Sequence, residues 1–177
     1  VRIAQAVGIK KFSSFLEKLG LLNKIEFDIE EVGEPHAIRW GKCKLATAAF
    51  GHGITTTPLQ LAKAYSIIVN GGYDISPTLI KQNLQKENKL ILEKGVSEKM
   101  NLILRKIVSS KEGTANFANI YGYEIGGKTG TAQKSIDGVY SKNKVNTFAS
   151  IFPTSNPKFV FVLLMDEPKA NKEYVYY

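Results

Sequence analysis

The stretch Gly122-Tyr123-Glu124-Ile125-Gly126-Gly127-Lys128-Thr129-Gly130-Thr131 decides how this chain folds. Residues 122–129 fit the phosphate-loop pattern, two glycines separated by four residues and followed by Lys-Thr. Val162-Leu163-Leu164-Met165-Asp166-Glu167 adds an apolar run ending in acids, as beside a bound nucleotide. The context rules this out. A phosphate loop needs a buried strand before it and a helix after it, because the helix N-terminus turns its free N–H groups on the phosphates. Here Gly130 follows Lys128-Thr129 directly, Thr131 to Asn146 has no helical apolar period, and Ala115 to Tyr121 makes a poor buried strand. Gly126 to Lys134 reads instead as a glycine-rich start running into an extended strand.

Downstream, Thr147 to Phe152 is short and apolar, and Phe159 to Met165 is continuously apolar. Aromatic and β-branched residues at Phe159-Val160-Phe161-Val162 suit a buried strand better than a helix. Pro153 to Pro157 supplies a turn, which predicts an antiparallel hairpin. Upstream the pattern turns helical. Met100, Ile103, Leu104, Ile107 and Val108 predict a helix after Ser97, preceded by a polar connection from Tyr73 to Gly95. Thr57-Pro58-Leu59-Gln60 has the form of a capping box with proline at the first helical position. It opens a helix bearing Leu59, Leu61, Ala62, Tyr65, Ile68 and Val69 and stopped at Asn70-Gly71-Gly72. Residues 21–45 are mixed and turn-rich. Before them, Ile3, Ala4 and Val7 stopped by Gly8, then Phe12, Phe15, Leu16 and Leu19 stopped by Gly20, predict two short helices. Helices first and strands last predicts an α+β chain with an antiparallel sheet packed against helices. Nothing before Val1 caps the first helix, and Tyr174, Tyr176 and Tyr177 form an apolar tail without a final helix. Both features lead us to expect one domain piece over residues 1–177, truncated at each end.

Composition narrows the function classes. The 177 residues, 44% apolar, suffice for a real core, and a charged fraction of 23% gives no case for disorder. The net charge of +8 attracts polyanions, but no run of five or six basic residues concentrates it. Scattered lysines on solvated faces account for it better than a nucleic-acid surface. One cysteine, Cys43, excludes an internal disulfide and a cysteine-based metal cluster. His36 and His52 lack nearby cysteines or an acidic cluster, so neither a metal site nor a cofactor is expected. His52, between two glycines, reads as part of a turn, and Trp40 as a packing anchor. No apolar run approaches the length of a membrane span.

Lys-Thr-Gly on a strand is one of three short motifs of serine acyl-transferases. The residue types suit the chemistry: a fixed cation beside a nucleophile, hydroxyls for a substrate carboxylate, and a glycine that leaves room for substrate backbone. Three letters alone recur by chance. Their neighbours do not. Gly51-His52-Gly53-Ile54, Thr57-Pro58-Leu59-Gln60-Leu61-Ala62, Ala64-Tyr65 and Asn70-Gly71-Gly72 resemble a segment of class B penicillin-binding proteins, in order and spacing. So do Glu112-Gly113-Thr114-Ala115, Gly126 to Gln133, and the strand pair ending Met165-Asp166-Glu167-Pro168. The agreement covers roughly two-thirds of the chain, and is nearest to the cell-division transpeptidase that cross-links septal peptidoglycan, with the elongation type second.

The resemblance implies part of a β-lactamase/transpeptidase-like fold and a D,D-transpeptidase that works by serine acyl transfer and binds penicillin. It implies a place on the periplasmic side of the cytoplasmic membrane. Its implied partners are peptidoglycan stem peptides, β-lactams, the N-terminal part of the same domain and other cell-division proteins, with no nucleic acid. Lys128 becomes the cationic wall residue, and Thr129, Gly130 and Thr131 line the substrate carboxylate. The Thr131 N–H supplies half of an oxyanion hole. The family's Ser-x-x-Lys and Ser-x-Asn motifs precede Lys-Thr-Gly, and Val1 to Gln5 resembles the helix just after Ser-x-Asn, so both are expected upstream of Val1. Ser141-Lys142-Asn143-Lys144 fits both patterns but falls in a polar loop between strands, whereas the family's nucleophile opens a buried helix. Residues 1–177 alone are therefore expected to be catalytically inactive. The alternatives are a non-catalytic remnant of a split or decayed gene, and a related serine β-lactamase or sensor. The stretch from Gly53 to Gln60, which resembles the transpeptidases, speaks against the latter.

Overall fold

The apolar spacing at the start of the chain produces two short helices, α1 (Arg2–Val7) and α2 (Ile9–Lys18), joined at Gly8. This computed structural model describes residues 1–30, 32–81, 88–136 and 139–169. The chain divides into two compact units, Val1–Ile103 and Leu104–Tyr177, with the boundary inside a helix.

In the first unit, α1 and α2 pack with each other and with α3 (Lys42–Ala48). The capping box then opens α4 (Pro58–Val69). Thr57 Oγ1 accepts from the Gln60 N–H at 3.1 Å, and Gln60 Oε1 accepts from the Thr57 N–H at 2.8 Å. Gln60 does more than cap. It is fully buried, and its Nε2 donates to the carbonyls of Gly20 at 3.2 Å and Asn23 at 2.8 Å, tying the end of α2 to the start of α4. Leu19, Ala64 and Ile67 form the local core, flanked by Leu21, Ile68 and Ile91. At the end of α4, Asn70 Oδ1 accepts from the N–H groups of Gly72 and Tyr73. Gly72 has φ 93°, and a Cβ there would lie 2.0 Å from the Leu92 carbonyl oxygen. Only glycine fits that approach.

α5 (Lys94–Ser109) leads into the second unit. There Leu104 and Val108 are buried with Ala115, Ala149 and Ile151. Asn116 Nδ2 donates to the carbonyls of Val108 at 3.3 Å and Ser110 at 2.9 Å, satisfying acceptors that the helix end leaves free. Arg105 holds the next segment, donating to Ile125 O at 2.8 Å and Asn119 Oδ1 at 3.1 Å. Three antiparallel strands follow in the order β1 (Gly126–Ile136), β2 (Val139–Phe152), β3 (Phe159–Asp166). A Cβ on Gly126 would sit 3.0 Å from Arg105 N, so β1 starts against the α5 backbone. The predicted α+β order, helices then antiparallel strands, is the observed one.

Several local expectations need correction. Residues 21–45 include the first turn of α3, whose seven residues are too short for a periodic signal and whose N-cap, Gly41, has no capping side chain. α5 begins at Lys94 rather than after Ser97; Ser97 is buried, and its Oγ accepts from the Gly71 N–H at 3.0 Å. The Tyr73–Gly95 connection holds a bridge, Tyr73 to Leu90, and includes the start of α5, while residues 82–87 lie outside the described set. β2 reaches back to Val139, so Ser141 lies in a strand and not in a loop. β3 is a strand but not a buried one, for Phe159, Phe161, Leu163, Leu164 and Met165 are all exposed. The apolar tail at Tyr174, Tyr176 and Tyr177 lies outside the described residues.

Candidate active site

Side chains alternate across a strand, so register decides what Lys128-Thr129-Gly130-Thr131 presents. In the β1–β2 ladder Lys128 pairs with Ala149, Thr129 with Phe148, Gly130 with Thr147 and Thr131 with Asn146. Thr129 and Thr131 therefore share one face of the sheet with Phe148 and Asn146, and β3 adds Leu163 and Met165 beside them. Lys128 belongs to the alternate set. Among the described strands β1 is an edge, and the Lys128 ammonium bends along it to donate to the Thr129 carbonyl at 2.7 Å. That carbonyl points outward. The N–H and C=O of Thr131, two residues on, therefore face out as well, because edge residues alternate between ladder and solvent.

The two glycines before the lysine are present for space. A Cβ on Gly127 would lie 2.7 Å from Ala149 O and 2.8 Å from the Phe148 ring. The Phe148 ring can thus lie across the strand beneath Thr129. Thr129 has a support that sequence reasoning named only as part of a motif: its hydroxyl is hydrogen-bonded to that of Thr114 at 3.2 Å. Thr114 follows Gly113, where a Cβ would come within 1.9 Å of the Ile107 carbonyl oxygen. Glu112-Gly113-Thr114-Ala115 is therefore a tight turn after α5 that delivers a hydroxyl to β1. Thr129, Thr131, Asn146, Phe148, Leu163 and Met165 surround a small cavity of about 80 Å³. Asn146 is 6% exposed, and neither its Nδ2 nor its Oδ1 has a hydrogen-bond partner among the described residues. Asn146 was not singled out from the sequence, because nothing marks an asparagine in a polar strand until its register is known.

The far end of the sheet is tied by charge. Lys134 lies 3.0 Å from Asp166 and 2.9 Å from Glu167. Bonds from Glu167 and then Asp166 push the Lys134 ammonium above its ordinary pKa, and those from Lys134 and then Asn143 hold the Glu167 carboxyl below its own. Asp166 ends β3, as its place in the sequence predicts. Ser141, near the start of β2, accepts from the Asn143 N–H at 3.2 Å and opens no helix. The Ser-x-x-Lys spacing recurs at Ser155-Asn156-Pro157-Lys158, and that run forms the turn between β2 and β3. Neither serine has the setting of an activated nucleophile. In the first unit, His52 stands between Gly51 at φ 88° and Gly53 at φ 74°, its ring 5.4 Å from that of Phe50, which makes it part of a turn. Trp40 packs edge-on against Phe12 at 6.1 Å.

An antiparallel sheet carrying Lys-Thr-Gly-Thr on its edge strand, preceded in sequence by helices, is the architecture of the β-lactamase/transpeptidase-like fold. Comparison with known proteins agrees. The penicillin binding protein transpeptidase domain model matches residues 1–176, and the chain belongs to that family. It is similar to a probable peptidoglycan D,D-transpeptidase FtsI of Caulobacter vibrioides, at 32% identity over 96% of this chain and 31% of that protein. It also resembles the stage V sporulation protein D of Bacillus subtilis, 31% identical over 98% of this chain and 29% of that protein. The chain thus spans about a third of the length of these relatives. Among solved structures, the transpeptidase domain of Burkholderia pseudomallei penicillin-binding protein 3 superposes with a TM-score of 0.87 at 25% identity, covering 94% of this chain and 52% of that one. Penicillin-binding protein 3 of Mycobacterium tuberculosis, solved with ampicillin, shares the fold with a TM-score of 0.86 at 24% identity over 94% of this chain and 42% of that one.

Proposed function

We infer that this chain forms the Lys-Thr-Gly wall of a peptidoglycan D,D-transpeptidase that cross-links stem peptides by serine acyl transfer and is acylated by β-lactams. One observation carries the inference: in a chain of the transpeptidase family, Lys128-Thr129-Gly130-Thr131 lies on an edge strand with two threonines on one face and the Thr131 N–H directed outward.

An extended stem peptide adds to the β1 edge as a further strand. Gly130, lacking a side chain, lets its backbone come close. The hydroxyls of Thr129 and Thr131 hold the carboxylate of the peptide, or of a β-lactam in its place. The serine of a Ser-x-x-Lys motif outside residues 1–177 attacks the peptide carbonyl carbon. Its proton passes to a base, and the new oxyanion is held by the Thr131 N–H and the serine's own N–H. The terminal amine leaves with a proton as the ester forms. The amine of a second stem peptide then attacks the ester, so the peptide bond re-forms between two strands of the polymer. Lys128 sets its ammonium beside the reacting atoms, in contact with the serine of Ser-x-Asn. The names of the relatives support this chemistry, and their cell-wall role supports a site on the outer side of the cytoplasmic membrane, within a longer polypeptide whose transpeptidase domain continues beyond this chain.

The test is covalent labelling of the complete polypeptide with a fluorescent penicillin. We expect one label per protein, blocked by excess unlabelled penicillin and lost in Lys128→Ala. A folded wild type that takes no label refutes the proposal.

A further inference from the structure

Asn146 is a buried polar side chain at the site whose chemistry the proposed reaction does not use. It stands directly across the ladder from Thr131, on the same sheet face, and is 6% exposed. Its carboxamide offers two N–H donors and an acceptor oxygen, and neither end is paired among the described residues. A buried amide left so destabilises the fold, so its retention asks for a reason. Of the other residues lining the cavity, only Thr129, Thr131 and Thr147 carry polar side-chain groups, and Thr147, opposite Gly130 in the ladder, belongs to the alternate face of the sheet. The Thr129 hydroxyl already pairs with Thr114 at 3.2 Å. The Thr131 hydroxyl has no such support among the described residues, and is the polar group directly opposite.

We propose that Asn146 is a positioning residue for Thr131: its Nδ2–H donates to the Thr131 oxygen and so leaves the hydroxyl hydrogen aimed at the substrate carboxylate. This rests on the transpeptidase function inferred above. A threonine hydroxyl has one hydrogen and two acceptor positions. With an N–H donor on one acceptor position, the hydrogen turns outward, and the donated bond to the carboxylate is strengthened along the chain. Directly opposed residues on neighbouring strands bring their Cβ atoms to about 5 Å, within reach of an asparagine-to-threonine bond after a turn of one side-chain torsion. Aspartate at this position would reverse the arrangement. It would accept the Thr131 hydrogen and add a negative charge behind the carboxylate.

The experiment uses the complete polypeptide and measures acylation by fluorescent penicillin as a function of concentration, beside thermal unfolding. Asn146→Leu, close in volume and apolar, removes the amide. The expected result is an unchanged or raised Tm with acylation efficiency down about tenfold, the loss of one hydrogen bond. The loss falls on the half-saturating concentration and leaves the limiting rate unchanged. In a Thr131→Val background the same substitution costs nothing further, because the group it positions is gone. Asn146→Thr, whose hydroxyl can donate across the strands, restores acylation and decides the matter should the leucine variant fold poorly. The proposal is overturned if Asn146→Leu acylates as wild type does, if its loss adds in full to that of Thr131→Val, or if Asn146→Thr behaves like leucine. A folded wild type that takes no label is a separate outcome: it overturns the transpeptidase function, and this role with it.

Discussion

Replacing Gly113 with alanine places a methyl group 1.9 Å from the Ile107 carbonyl oxygen, 2.8 Å from the Ile107 carbonyl carbon and 3.1 Å from the Ser110 carbonyl oxygen. All three are backbone atoms, so no side chain can swing away. The turn must open by about 1 Å to bring the nearest contact back to 3.0 Å, the practical limit for a Cβ. That turn is held by the Gly113 N–H to Ser110 O at 3.0 Å and the Asn116 N–H to Gly113 O at 3.1 Å. Overpacking of this kind costs about 1–3 kcal/mol, and a weakened hydrogen bond adds about 1 kcal/mol more. We therefore expect a loss of about 3 kcal/mol, which for a chain of this size lowers Tm by roughly 6–12 °C. Urea and thermal unfolding measure it. Gly95→Ala is the internal control. Gly95 lies in α5 with nothing within 4 Å of the added Cβ, and there alanine stabilises by up to about 1 kcal/mol. Because Thr114 follows Gly113 and bonds Thr129, the unfolding loss comes with slower acylation at substrate concentrations below saturation. A Gly113→Ala protein within about 0.5 kcal/mol of wild type would refute the reasoning, since ordinary surface substitutions do no more.

Three other outcomes follow from the same geometry. Gln60→Ala leaves the Gly20 and Asn23 carbonyls and the Thr57 N–H without their partner and opens a cavity, and should cost about 2–5 kcal/mol in urea unfolding. Thr129→Val keeps the shape of the strand and removes one carboxylate-binding hydroxyl, so acylation efficiency should fall about tenfold or more with Tm nearly unchanged. The Lys134, Asp166 and Glu167 cluster has a pH window. Glu167 titrates lower folded than unfolded, so its contribution is complete above about pH 4.3 and is lost as pH falls through the folded value. Lys134 titrates higher folded, so its contribution is complete below about pH 10.4 and is lost as pH rises through its folded value. A carboxyl-carbon NMR titration should find Glu167 below the ordinary glutamate value, and Lys134→Met should move it upward toward that value; an unshifted Glu167 in the wild type contradicts the ion pair.

Local chemistry explains what was legible in the sequence. Thr57-Pro58-Leu59-Gln60 named its helix because capping uses contacts three residues apart, and the structure adds the two long-range carbonyls on Gln60 that no local pattern contains. Asn70-Gly71-Gly72 announced a helix stop, but not that Gly72 must admit Leu92. Lys128 to Thr131 was readable as a strand motif. What faces each side of that strand was not, because register links residues that are far apart in sequence. Asn146 and the Thr114 support of Thr129 became visible only with the ladder and the turn in place. The exposed flanks of β3 show the converse limit: aromatic and β-branched residues specify an extended chain, and burial depends on what lies alongside.

A crystal structure of the complete polypeptide after reaction with penicillin tests the central claim most directly. The account predicts the drug's carboxylate within about 3 Å of the Thr129 and Thr131 hydroxyls and its carbonyl oxygen on the Thr131 N–H, with the acyl bond to a serine outside residues 1–177. A carboxylate bound elsewhere, or an acyl group on Ser141 or Ser155, would contradict it.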